Sequence, residues 1–225
     1  MKEKIGIVVA VEPEAMQFFE VFGVPTYHFG EGHGYEVWAW NKYPAEIYLV
    51  ESGYGEIAAA AATQYLIDRC NVDKIINYGV VGGLHEGLSA QVVGTVRKIV
   101  HYDFDLSVSK KYPVGRYPNQ EDLFLSPKAD ALPQACFDEL PEFICASADK
   151  FVGPGKPKRK LREEFGADIC EMEAAAIVIT CNKNNIPCSF IKAVSDGVNE
   201  GEEAFNDNVA VAARACVEVL ARFLT

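Results

Sequence analysis

Three carboxylates stand where folding alone does not need them. Glu14 falls in the first turn of a predicted helix, Glu173 lies in the otherwise apolar EMEAAAIVIT, and Asp196 ends the apolar run SFIKAVSD. Each has an ordinary structural explanation. A negative charge suits a helix start, and an Asp before Gly197 is a common turn former. Glu173 has no cation four residues away on either side, so it either caps a helix or takes part in chemistry. Two glycine-rich stretches, Ser52-Gly53-Tyr54-Gly55 and Gly79-Val80-Val81-Gly82-Gly83, accompany the acids. Taken together, the set points to a site for a polyhydroxylated ligand. The glycine spacing matches neither a Walker loop nor GxGxxG, which argues against ATP and NAD. With no GxSxG elbow and no Ser/His/Asp set, an acyl hydrolase does not fit either.

These residues need elements to hold them. Ile5–Val11 reads as a buried strand, and Glu12–Phe22 as a helix with Pro13 in its first turn. His33–Asn41 and Ala45–Ser52 form a hairpin pair, and the alanine-rich Glu56–Cys70 is a helix. Strands follow at Lys74–Val80 and Gln91–Val100. Residues 103–127 lack periodicity and read as a long functional loop. Beyond it come a helix around 128–140, strand Phe143–Ser147, helix 157–165 and helix Glu171–Asn184. Strand Pro187–Ser195 and helix Glu203–Phe223 close the chain. The alternation predicts one domain over residues 1–225: a three-layer α/β/α sandwich around a mixed, mostly parallel twisted sheet. In such folds ligands bind at the carboxyl ends of the strands, where the three acids fall.

Composition narrows the partners. Hydrophobic residues at 49% and charged residues at 24% describe a globular chain rather than a disordered or fibrous one. A net charge of −11 repels a phosphate backbone, so no nucleic-acid partner is expected. The basic cluster Lys156, Lys158, Arg159 and Lys160 reads as a solvated helix start rather than an anion site. No apolar run approaches a membrane span, and the first residues read as a core strand rather than a signal. The seven cysteines include no CxxC and fit buried thiols in a reducing cytosol. The four histidines lack ligand spacing, so no metal is expected.

In order, IGIVVAVEPEA, ESGYGEIAAAAATQ, KIINYGVVGGL, SADKFV, CEMEAAAI and KAVSDG resemble the nucleoside phosphorylase/nucleosidase superfamily. Within it, the chain is most similar to 5'-methylthioadenosine/S-adenosylhomocysteine nucleosidases, from about residue 4 to 222. The resemblance implies Glu14 rather than Glu12 as general base. It implies Glu173 and the Met172 backbone on the ribose hydroxyls, and Asp196, within the Ser195-Asp196 motif, as the acid at purine N7. Phe151 would stack on the base, the Val152 backbone would read its edge, and Phe205 would close over the 5' substituent. No cofactor is implied, and the partner is a small purine nucleoside. A homodimer is implied as well. The aromatics Phe104, Tyr112 and Tyr117 of the 103–127 loop suit such an interface, or a loop packed on itself.

N-glycosidic cleavage needs a stabilised leaving purine and a stabilised ribosyl cation. Protonation at N7 supplies the first, and burial is expected to hold Asp196 in its protonated form. Glu14 would deprotonate the attacking water, and Glu173 would bind the ribose more strongly as positive charge builds on it. Four positions depart from the superfamily's patterns. Val80 replaces a Ser or Thr that seats water or phosphate, and Asn77 stands where phosphorylases tend to place Arg. Loss of both polar groups argues against phosphate as nucleophile. Lys192 replaces an Arg that could hold Glu14 and the water through two contacts. Tyr54 replaces an aliphatic residue of the 5' pocket. Methylthioadenosine, S-adenosylhomocysteine, 5'-deoxyadenosine and futalosine-type nucleosides all remain open as substrates. A phosphorylase and a non-catalytic nucleoside-binding protein remain as alternatives.

Overall fold

The computed structural model describes residues 2–30, 34–118 and 120–225. Among the described residues nine strands form one mixed sheet: β1 (Lys4–Val9), β2 (Tyr27–Phe29), β3 (Val37–Trp40), β4 (Glu46–Glu51), β5 (Lys74–Gly83), β6 (Val93–His101), β7 (Glu142–Ser147), β8 (Ile169–Glu171) and β9 (Cys188–Asp196). Their order is β2-β3-β4-β1-β5-β8-β7-β6-β9, and β9 also pairs with β5. That extra pairing joins β5, β9, β6, β7 and β8 into a closed ring. Sequence periodicity predicts all of these strands except β2 and β8, and it gives no sign of the closure.

Six α-helices among the described residues flank the sheet: α1 (Glu12–Phe22), α2 (Glu56–Tyr65), α3 (Gln134–Glu139), α4 (Lys156–Phe165), α5 (Ala174–Asn184) and α6 (Glu202–Leu224). One face carries α1 and α6. Phe18 and Phe22 of α1 and Ala212, Cys216, Val217 and Leu220 of α6 pack with Ile7, Ile76 and Ile191 of the sheet. The opposite face carries α2 and α5 on Val8, Ile75 and Val194. A third cluster, with Leu161 of α4 against Val100, Ala146 and Cys170, fills one end of the closed ring. The three-layer α/β expectation holds.

Several boundaries differ from the sequence reading. The start of the first hairpin strand, at His33, lies outside the described residues, and the described strand begins at Val37. Strand β2 was not anticipated. Helix α2 stops at Tyr65 and continues as a wider π turn, Leu66–Cys70, ended by left-handed Asn71. The helix expected over 128–140 is only Gln134–Glu139, because Pro133 occupies its N-cap in an extended conformation and the residues before it form bends. The Gly79–Gly83 stretch is not a turn but the last half of β5. Glu171–Asn184 is not one helix: Glu171 ends β8, and the helix begins after Glu173.

The 103–127 loop packs on itself. Phe104 and Tyr117 stack at 3.9 Å, and the Tyr117 hydroxyl lies 2.7 Å from His101 Nδ1. All seven cysteines are buried and free. Among the described residues no helix is long and apolar enough to cross a membrane.

Candidate active site

The loops after β1 and β4, the second half of β5 and the ends of β8 and β9 surround one pocket. Its wall includes Glu14, Tyr54, Val80, Phe151, Val152, Met172, Glu173, Asp196 and Phe205. Two predicted residues, Lys192 and Ser195, lie behind that wall, fully buried.

Glu14 is held by backbone. Phe18 and Phe22 stack at 4.0 Å and anchor α1 against the sheet, with Trp40 against Phe18 at 5.0 Å. This fixes the first turn of α1 over β5. There the Glu14 carboxylate accepts from Ala10 N–H at 2.9 Å, from Val11 N–H at 3.4 Å and from Val80 N–H at 2.9 Å. A Cβ at Gly79 would stand 2.6 Å from Glu14 Oε1, so only glycine lets β5 pass beneath it. Glu12, one helical turn's edge away, is exposed, which separates the two acids that the sequence left adjacent. Burial pushes the Glu14 carboxyl above its ordinary range; the Val80 N–H and the Lys192 charge oppose it.

Glu173 occupies the N-cap of α5, and its Oε1 accepts from Gly55 N–H at 2.8 Å. Burial, then the neighbouring Glu171 charge, raises it to about 8, against the pull of Lys192. The cation that sequence spacing could not locate is therefore Lys192, supplied by β9. Lys192 does not hold Glu14 directly, as expected of the family's arginine. Its ammonium pairs with Glu171 Oε2 at 3.0 Å. Burial works against that ammonium, and the charges of Glu171 and Glu173 outweigh burial and raise it. Glu171 in turn accepts from Ala174 N–H at 2.9 Å and Glu173 N–H at 3.1 Å, capping α5.

Asp196 is buried as expected, at 3% exposure. The ammonium of Lys158 makes a very short ion pair with Oδ2, and the Ser195 hydroxyl donates to Oδ1 at 2.6 Å. This overturns the reading of Lys158 as part of a solvated helix start: its exposure is 0%. The signal was present in the sequence, since Lys158, Leu161 and Phe165 share one face at helical spacing. Both Lys158 and Leu161 of that face are buried.

The aromatic wall is open to solvent. Phe151, 48% exposed, meets Phe205 edge-on at 5.7 Å, and Val152 is buried beside them. Tyr54 is 68% exposed at the mouth, so it borders the pocket rather than lining a closed one. Sequence reasoning missed Lys158, Lys150, Cys170 and the Ala10–Val11 backbone, which also border the pocket.

This geometry agrees with what the chain resembles. The phosphorylase superfamily profile matches residues 4–225. The aminodeoxyfutalosine nucleosidase of Helicobacter pylori strain ATCC 700392 / 26695 is 30% identical over 215 residues, covering 89% of this chain and 88% of that protein. A solved structure of the Helicobacter pylori 5'-methylthioadenosine/S-adenosyl homocysteine nucleosidase, complexed with a pyrrolopyrimidine pyrrolidinol, superposes with a TM-score of 0.89. It is 27% identical and covers 98% of this chain and 97% of its own. The futalosine hydrolase of Helicobacter pylori strain 26695 gives 0.88 at 28% identity, with 97% and 96% covered. With the profile spanning nearly its whole length and the three acids gathered in one pocket, the chain belongs to the phosphorylase superfamily.

Proposed function

We propose that this protein is a purine nucleosidase that hydrolyses the N-glycosidic bond of 5'-modified adenine nucleosides, releasing adenine. Its relatives are N-glycosyl hydrolases, and the enzyme class follows from them. The observation that carries the reading is the convergence of Glu14, Glu173 and Asp196 on one pocket with an aromatic wall.

Each group has a task its surroundings suit. Glu14 takes the proton of the attacking water, and its raised affinity for protons makes it a better base near neutrality. Glu173 accepts from a ribose hydroxyl and stabilises the cationic sugar of the transition state. Asp196 delivers a proton to purine N7, and Phe151 stacks on the base with the Val152 backbone at its edge. Phe205 and Tyr54 border the 5' substituent.

Hydrolysis is favoured over phosphorolysis by the groups around Glu14. The pocket there is bounded by a carboxylate, Ala10, Val11 and Val80. A phosphate dianion would meet negative charge and apolar surface where it needs several donors. The open mouth at Tyr54 also suits a longer 5' group, so aminodeoxyfutalosine or futalosine is the second reading.

A homodimer belongs to the same reading. Ile57 and Val108, 82% and 95% exposed, are apolar side chains that a second copy would cover, and light scattering measures the mass directly. A cytosolic setting fits the seven free thiols.

The test is a substrate panel of methylthioadenosine, S-adenosylhomocysteine, 5'-deoxyadenosine, aminodeoxyfutalosine and futalosine, with and without phosphate, read for free base. Adenine released equally in both conditions is the expected result. Hypoxanthine from futalosine alone would favour the second reading. Dependence on phosphate would establish a phosphorylase, and no base from any nucleoside would overturn the enzyme assignment.

A further inference from the structure

Lys158 is a buried cation that the mechanism above leaves unused. It is carried into the pocket wall by α4, and its Nζ donates to Asp196 Oδ2, to Gly197 O at 2.8 Å and to Glu200 O at 3.0 Å. Three acceptors match the three hydrogens of an ammonium. Asp196 accepts from Lys158 at Oδ2 and lies 2.6 Å from the Ser195 hydroxyl at Oδ1, and that hydroxyl also lies 3.2 Å from Val81 O. Lys158 and Asp196 thus form a salt bridge buried on both sides, at 1% and 4% side-chain exposure. An acid catalyst needs a proton to give, and the nearest one belongs to Lys158.

The surroundings are built for this pair. In β5 a Cβ at Gly82 would stand 3.2 Å from Lys158 Nζ and 3.1 Å from Cys170 Sγ, so glycine there makes room for the ammonium. Cys170 of β8 faces the pair as a neutral thiol, pushed up to about 12 by burial against the opposing Lys158 charge. The Glu200 carboxylate turns away onto Gly197 N–H at 2.7 Å, and Arg159 of α4 turns outward to Glu86 and Asn199. Across the pocket stand Glu14, Glu171 and Glu173, with Lys150 at its edge.

We propose that Lys158 is a positioning residue that acts through Asp196, orienting its carboxylate and supplying through it the proton taken by purine N7. The inference rests on the purine nucleosidase reading. As the bond between C1′ and N9 breaks, its electron pair passes to the purine. One proton moves from Lys158 to Asp196 and one from Asp196 to N7, leaving a neutral amine. The attacking water gives hydroxide to C1′ and its proton to Glu14. Exchange with solvent then returns Glu14 to a carboxylate and Lys158 to an ammonium. The alkaline limb of the pH profile accordingly follows an amine rather than a carboxylic acid.

The experiment is the pH dependence of kcat and KM for adenine release, from pH 5 to 10, in the wild type and in K158M. In K158M the alkaline limb moves down by at least about one pH unit, the acid limb stays, and kcat at pH 9 falls about 100-fold with little change in KM. A fall by one factor at every pH, or no fall, overturns the inference while leaving the nucleosidase reading intact. The native protein supplies a second measurement should K158M not fold. Its turnover persists above about pH 9, and a loss centred below about pH 8 overturns the inference. A wild type that releases no purine overturns both.

Discussion

Two buried lysine–carboxylate pairs sit about this pocket, and they are built differently. Lys158 serves one acid, Asp196; its other hydrogens go to backbone carbonyls, and both partners face the pocket. Lys192 lies behind the wall and is surrounded by acids: it pairs with Glu171, and its charge also acts on Glu173 and Glu14. The first pair places a mobile proton beside a ligand. The second neutralises a cluster that would otherwise be too negative to bury. Buried lysine pairs look alike in sequence, and what separates their roles is whether the lysine itself reaches the pocket and how many acids share the cation.

Removing one member from each arrangement sharpens the contrast. Glu14→Gln keeps the shape of the site and the Val80 contact but removes the base. Its kcat should fall by about 10²–10⁴ with the fold intact, measured by adenine release beside a thermal melt. Full turnover would remove Glu14 from the mechanism. Lys192→Met should act on stability instead. It strands the buried Glu171 charge, which costs about 3–5 kcal/mol, or a melting temperature lower by roughly 10 °C in a chain of this size. A melt unchanged by that substitution would mean that the acid cluster does not need its cation.

Two smaller effects follow from the same cluster. Glu56 is buried, accepts from the Ser147 hydroxyl at 2.6 Å and from Ala176 N–H, and is raised to about 8 by burial and then by Glu171. A carboxyl that binds its proton more tightly when folded stabilises the fold below its unfolded value, about 4.5. That contribution is lost as pH rises through about 8. The stability advantage of wild type over Glu56→Gln should therefore shrink across this window, by no more than about 1.4 kcal/mol per pH unit. Denaturant melts at pH 5 and pH 8 check it, and a difference independent of pH would show that Glu56 does not titrate there. The smallest effect is at Val80, whose N–H already holds Glu14. Val80→Thr adds one hydroxyl donor near the attacking water, worth about 0.5–1.5 kcal/mol, and should raise kcat about two- to tenfold. No gain would mean that the backbone seats the water without a side chain.

Much of this was legible before any coordinates. Helix α1 begins and ends where Pro13 and the spacing of Phe18 and Phe22 place it, and the three acids fall at the ends of predicted elements. The short β8 was hidden because Ile169–Glu171 runs directly into the apolar α5, and three residues carry too little alternation to separate from a helix. Lys158 was misread because charge within a basic run signals solvent, whereas one helical face of that run points inward.

The sequence by itself determined the layered α/β fold, the family and the identities of Glu14, Glu173 and Asp196, because periodicity and local motifs are properties of neighbouring residues. Tertiary structure alone decided which charges meet. Lys158 finds Asp196 across 38 residues, and Lys192 finds Glu171 across 21. Such pairings depend on the closure of β5 against β8 and β9. Burial then sets the protonation of each acid, because the cost of a charge depends on the water and counter-charge that the finished fold leaves around it.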